Sequence, residues 1–419
     1  MPWVPPPRSA WTEKLIALGH GLGDDGRSII SLDPDELRRS ACAVTGLSDF
    51  GDTWWEEPFA RLCASLDDQA QLHLPGRLRT RAEIQLILQN RLRLVALWRR
   101  QPDIVDEPVV APIVVTGLGR SGTTFLHELL ACDPDNRPPL LWELLHTVPP
   151  VATVPRTAES AAAAATVCDD EITLMDAMVP AFTAMHENGG HLPTECIFAF
   201  AHQFSSDIYT GLYNVADYTI WRSGRDQGPI YDWHRRMLQT LQALTPEPTT
   251  RWVLKAPSHL SSLPLVFATY PDAKVVITHR DPLRVIGSLA DMMATLHHMH
   301  SEHVDHDTLV QFMAMGLEMQ MDEVTSQQDA GDLPSDQIAD VVYHNLIGDP
   351  VGTIERLYAT WDLPLSDTYR LRLGDYLAAR HTHRASGHDY SFADTGLDLP
   401  THRANVAAYM ERFGVTAEV

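Results

Sequence analysis

Hydrophobic residues recur along this chain with two different periods. Between 80 and 100, Ile84, Ile87, Leu88, Leu92, Val95 and Trp98 follow one another at three- and four-residue spacings, which predicts a helix with one apolar face. Arg91, Arg93 and Arg99 fall off that stripe and are expected on the surface. Upstream, ELRRSACAVTG reads as a helix capped by Asp35 and stopped by Gly46. Residues 1–30 are punctuated by Pro and Gly and are expected to lie loosely on the surface. After the acidic, Pro-containing linker QPDIVDEPVVA the pattern changes. PIVVTG (112–117), RWVLK (251–255), KVVITH (274–279) and IADVVYH (338–344) are short apolar runs, the mark of strands buried on both faces. Helical patterns separate them, as expected for a parallel sheet covered by helices. The stretch 140–250 is mixed helix and loop, and RANVAAYMERFG near the end is a short helix.

The chain has 419 residues with 55 Asp plus Glu against 32 Lys plus Arg, a formal charge of -23. Nucleic acid as a partner normally needs a basic face, so that class is excluded. A small anionic ligand remains open, because local donors outweigh a distant surface charge that salt screens over about 10 Å. Cys42, Cys63, Cys132, Cys168 and Cys196 are scattered, without a CxxC pair, and suggest neither a zinc site nor a disulfide framework. They read as small core residues in a reducing compartment. The start of the chain lacks the pattern of a signal peptide. No stretch reaches the ~20 apolar residues of a membrane span. A soluble, cytoplasmic protein is expected.

VVTGLGRSGTTFLHELL is strand, glycine loop and helix. Backbone N–H groups of such a loop and the positive end of the helix dipole form a fixed cradle for an anion. Gly117, Gly119 and Gly122 allow the turn and the close approach, while Ser121, Thr123 and Thr124 offer hydroxyls. Against the nucleotide-triphosphatase pattern G-x-x-x-x-G-K-[ST], Gly117, Gly122 and Thr124 are in place. Thr123 stands where the lysine belongs, and the loop's cation is Arg120. A kinase or ATPase is therefore the weaker reading. The expected fold is α/β, a P-loop-type parallel sheet flanked by helices, with an N-terminal helical extension over residues 1–108 packed on a nucleotide-binding domain over 109–419.

Two further pieces accompany the loop. In VVITHRDPLRVIGSL, Arg280 ends a strand and Ser288 follows eight residues later, a charge and a directional hydroxyl suited to a second phosphate. In WVLKAPSHL, Lys255 lies at the carboxyl end of a strand and His259 just beyond it. Ligands of open α/β sheets bind at those ends.

In this order, the three pieces resemble the sulfotransferases that use 3'-phosphoadenosine 5'-phosphosulfate (PAPS), and the chain is similar to their bacterial branch over nearly its whole length. The resemblance implies that Gly119, Arg120, Ser121, Gly122, Thr123 and Thr124 hold the 5'-phosphosulfate, and that Arg280 and Ser288 hold the 3'-phosphate. It implies Phe125 and Tyr343 beside the adenine, and Arg384 in a late basic loop closing over the nucleotide. The implied reaction moves a sulfuryl group from PAPS to a hydroxyl or amine of a small-molecule, lipid or carbohydrate acceptor, without a metal. Arg120 and Lys255 would neutralise charge in the transition state. Two residues are candidates for the base. His259 stands four positions after Lys255, where the cytosolic branch has its histidine two positions after. Glu143 lies at about the place of the glutamate used by the tyrosylprotein branch. A small-molecule kinase and a catalytically silent nucleotide-binding protein are the alternatives.

Other features carry plainer expectations. HHMHSEHVDH (297–306) is expected to be exposed helix or pocket lip rather than a metal site. Trp221, Trp233, Tyr209, Tyr213 and Phe204 read either as ordinary core, the expected case, or as an aromatic acceptor pocket. Glu195 faces either the acceptor or a structural partner.

Overall fold

The computed structural model describes residues 3–148, 156–245, 250–382 and 392–419. Strands β1 (Ile113–Gly117), β2 (Asn136–Arg137), β3 (Arg251–Lys255), β4 (Lys274–His279) and β5 (Ile338–Val342) form a parallel sheet in the order β2-β3-β1-β4-β5. In the register, Val115 lies opposite Lys255, Gly117 opposite Thr278, and His279 opposite Val342. The chain leaves β1 towards β2 and leaves β4 towards β5. The carboxyl ends of these two neighbours therefore open a crevice, the usual binding place in such sheets.

The continuous apolar runs form strands because both faces of the sheet are covered. Ile113, Val115, Val253 and Val276 pack under Leu126, Leu129 and Leu130 of the helix Thr123–Ala131. Val114, Leu254, Val275 and Ile277 pack on the other face against Trp233, Met237 and Leu283. Leu94, Leu97 and Trp98 of the N-terminal region join this second core. A further cluster unites Leu37, Trp55, Phe59 and Leu88 with Phe204, Tyr218 and Met299. The first hundred residues thus share their apolar cores with the rest of the chain.

Several local expectations are corrected. The long helix runs Leu74–Arg100 and begins earlier than the apolar stripe, because His73 Nδ1 accepts the Gly76 N–H at 2.9 Å and Pro75 suits the first turn. Arg91 is buried, not a surface residue. It donates to Asp52 at 2.8 Å and to the Phe50 carbonyl at 2.8 Å, and stacks over Trp55 and Trp233. The helix Pro34–Thr45 is capped by Asp33, whose side chain accepts the Glu36 N–H, rather than by Asp35; Gly46 ends it at φ 68°. Residues 1–30 include a helix, Ala10–Leu22, capped by Ser9. Arg8 ties its start to the carbonyls of His298 and Ser301. The histidines His297, His298 and His300 are buried at the end of the helix Pro282–His300 instead of exposed. Among the described residues no group of three or more His, Cys, Asp or Glu side chains is placed to hold a metal ion, and no helix is long and apolar enough to cross a membrane. Phe204, Tyr209, Tyr213 and Trp233 are core residues, as expected.

Candidate active site

The loop between β1 and the helix Thr123–Ala131 turns through three residues with positive φ: Gly117 at 146°, Arg120 at 65° and Gly122 at 97°. A Cβ on Gly117 would lie 2.4 Å from the Thr278 carbonyl, and one on Gly122 would lie 2.8 Å from the Tyr343 ring. Both positions need glycine, because the Thr278 carbonyl of β4 and the Tyr343 ring press on the loop. Arg120 adopts the left-handed region despite its side chain, a strained geometry of the kind found where surroundings fix a functional residue. Ser121 faces inward. Its hydroxyl lies 2.5 Å from the Leu118 carbonyl and 2.6 Å from Thr278 Oγ1, so it braces the loop on the sheet rather than offering a side-chain donor outward.

Lys255 ends β3 beside the loop. Its ammonium, only 2% exposed, donates to Thr124 Oγ1 at 3.2 Å and to Glu195 at 2.5 Å. A cation thus reaches the loop from the adjoining strand. Burial pushes the Glu195 carboxyl up, but the Lys255 ammonium more than offsets this and holds it below the ordinary carboxylate value.

Arg280, immediately after β4, donates to the Arg120 carbonyl at 3.0 Å, and Arg120 Nε donates to Ser288 Oγ at 3.1 Å. The expected 5' and 3' seats therefore adjoin in one crevice. The Arg280 guanidinium lies over the Tyr343 ring at 3.9 Å and pairs with the Glu418 carboxylate at 2.7 Å. Phe125 meets Arg380, whose guanidinium lies 4.7 Å from its ring centre.

Gly119, Arg120, Gly122, Thr123, Thr124 and Phe125 line one cavity of about 1980 Å³. Lys255, Arg280, Ser288 and Tyr343, from three other parts of the chain, line the same cavity. Arg384 lies outside the described residues. Neither expected base lines the cavity. His259 is buried among Phe200, Tyr231 and His234, and its Nδ1 is 2.8 Å from the Tyr231 hydroxyl. Burial lowers its pKa to about 3, so the ring is neutral. Glu143 accepts the Leu140 N–H at 3.0 Å and pairs with Arg137 at 2.5 Å, closing a short helix rather than facing the crevice. Sequence reading missed His186 and Arg380, which do line the cavity. Neither sits in a motif, and only the folded chain brings them to the loop.

The profile of the sulfotransferase family matches residues 112–367, the segment that contains the whole sheet. The chain belongs to this family. The omega-hydroxy-beta-dihydromenaquinone-9 sulfotransferase Stf3 of Mycobacterium bovis is 27% identical over 285 residues, covering 65% of this chain and 69% of that protein. The same enzyme of Mycobacterium tuberculosis matches equally. Sulfotransferase STF1 of Mycobacterium tuberculosis H37Rv superposes with a TM-score of 0.76 at 30% identity, over 90% of this chain and 98% of that one. Sulfotransferase STF9 of Mycobacterium avium gives 0.80 at 25% identity, over 92% and 97%. The kinase alternative gives way to this assignment.

Proposed function

We propose that this protein transfers the sulfuryl group of PAPS to the terminal hydroxyl of an elongated lipophilic acceptor. The observation that carries this reading is the meeting of Arg120, Lys255 and Arg280 at one end of a cavity whose remaining wall is largely apolar, with Ile172, Met175, Phe198, Met293 and Phe312 among its residues. Its volume of about 1980 Å³ exceeds the roughly 300–1,000 Å³ of an ordinary ligand site, which suits donor and acceptor bound together. The residues fit the donor. Arg280 and Ser288 would take the 3'-phosphate, the backbone of Arg120 to Thr124 the phosphosulfate, and Tyr343 and Phe125 the adenine. The glycines leave room for this close approach. Arg120 and Lys255 supply the positive charge that a transferring sulfuryl group and its leaving phosphate need. The name of the Stf3 relatives, enzymes acting on a hydroxylated menaquinone derivative, agrees with a lipophilic acceptor. Five free cysteines suit a reducing compartment such as the cytoplasm.

The test has two stages. Calorimetry should show binding of adenosine 3',5'-bisphosphate without added metal. Labelled PAPS is then offered with primary alcohols from butanol to dodecanol. Each added methylene buried in the apolar wall is worth about 0.8 kcal/mol, so kcat/KM should rise about fourfold per step until the cavity is filled. A rate indifferent to chain length, or transfer only to sugars, would refute the acceptor class.

A further inference from the structure

Both residues that sequence reading put forward as the base stand off the cavity, yet transfer to a hydroxyl needs a group that takes its proton. Three observations converge on His186. It lines the cavity together with Arg120, Lys255 and Glu195. Its Nδ1 is buried and lacks a hydrogen-bond partner, a costly state for a polar atom that a functional role explains. Its position is fixed: Arg120 Nη1 donates to the carbonyl of the preceding Met185 at 3.2 Å, and the imidazole stacks parallel to Phe182, with ring centres 6.4 Å apart. The same arginine thus anchors the phosphate loop, the Ser288 seat and the segment that carries His186.

We propose that His186 is the general base, taking the proton of the acceptor hydroxyl as its oxygen attacks the sulfur of PAPS. This rests on the sulfuryl-transfer reading above. The acceptor O–S bond forms while the bond between sulfur and the bridging phosphate oxygen breaks. Its electron pair leaves with adenosine 3',5'-bisphosphate, and the proton passes from the hydroxyl to the imidazole and on to water. The charged groups facing His186 are Glu195, Lys255 and Arg120. Burial is the largest influence and keeps the ring neutral, with Glu195 and the Glu187 backbone opposing it and the two cations reinforcing it. Glu195 is the less suitable acceptor of a proton, because its carboxylate is held by Lys255.

The experiment compares wild type with His186→Ala, His186→Gln, His259→Ala and Glu195→Gln. It follows transfer from labelled PAPS to a long-chain primary alcohol, with bisphosphate affinity measured on each protein. The two His186 variants should keep bisphosphate affinity and lose kcat by about 10²–10⁴-fold. Added imidazole should restore part of the rate to His186→Ala. The acid limb of the wild-type kcat profile should lie below pH ~6.5, the ordinary histidine value, and should vanish in His186→Gln. Unchanged kcat in both His186 variants overturns the assignment. So does loss of bisphosphate affinity in step with kcat, which marks a structural role, or loss of kcat in Glu195→Gln or His259→Ala while His186→Ala remains active. Failure of wild type itself to bind the bisphosphate strikes at the donor reading instead and is recognised separately.

Discussion

Arg280 Nη1 donates to the main-chain carbonyl of Arg120 at 3.0 Å. This bond joins the end of β4 to the strained residue of the phosphate loop. Arg120 returns the link through its Nε, which donates to Ser288 Oγ.

Arg280→Ala should discriminate against the 3'-phosphate. Bisphosphate affinity should fall about ten- to a hundredfold, the worth of a charged hydrogen bond (about 1.5–3 kcal/mol). Adenosine 5'-phosphosulfate, which lacks that phosphate, should bind almost as before. Equal weakening of both ligands in calorimetry would mean that Arg280 serves only to shape the loop.

Glu418 is expected to compete with the donor. Its carboxylate sits on Arg280 at 2.7 Å, and its N–H donates to Asp281 at 2.6 Å, beside the Arg403–Asp281 pair. Glu418→Gln should tighten bisphosphate binding up to about fivefold, since such half-exposed pairs are worth up to about 1 kcal/mol. The change should shrink at high salt. A weaker complex in titration would contradict this.

Breaking the Lys255–Glu195 pair from either side should cost stability, while only loss of the lysine should cost rate directly. Glu195→Gln leaves a buried ammonium without its counter-charge and should cost about 3–5 kcal/mol of stability. Saturating bisphosphate should narrow that gap in thermal melts, because the ligand supplies negative charge. Lys255→Met removes the cation and should lower kcat by about 10²–10³-fold; it should also lower Tm, because the Glu195 carboxylate loses its partner.

Stability should fall in mild acid. His127, His202 and His259 are buried, and burial lowers their pKa to about 4, 4 and 3. The folded chain therefore keeps them neutral while the unfolded chain binds protons below pH ~6.5. The stabilisation is complete above pH ~6.5 and is lost as pH falls towards those lowered values, at up to about 1.4 kcal/mol per pH unit for each ring. Urea unfolding between pH 7 and 5 should show this slope, and His259→Gln should make it shallower. A flat profile would contradict the burial of these rings.

The parts of this protein written in local sequence were those set by local physics. Apolar runs with no polar alternation announced doubly covered strands, and a glycine-spaced turn announced the loop between β1 and its helix, because backbone conformation depends on near neighbours. Arg280 and Ser288 could be placed beside the loop, because one follows a strand end and the other lies in the next helix. Tertiary structure alone decided which polar side chains face the crevice. His259 follows a strand end like a base, yet the packing of Phe200 and Tyr231 withdraws it. Glu143 is taken up by a helix start. His186 and Glu195 reach Arg120 and Lys255 from a segment that carries no motif. Arg91 shows the same limit, a charge off the helix stripe that is buried because two tryptophans and Asp52 arrive from elsewhere. Burial and electrostatic pairing depend on groups distant in the chain, so no window of sequence contains them.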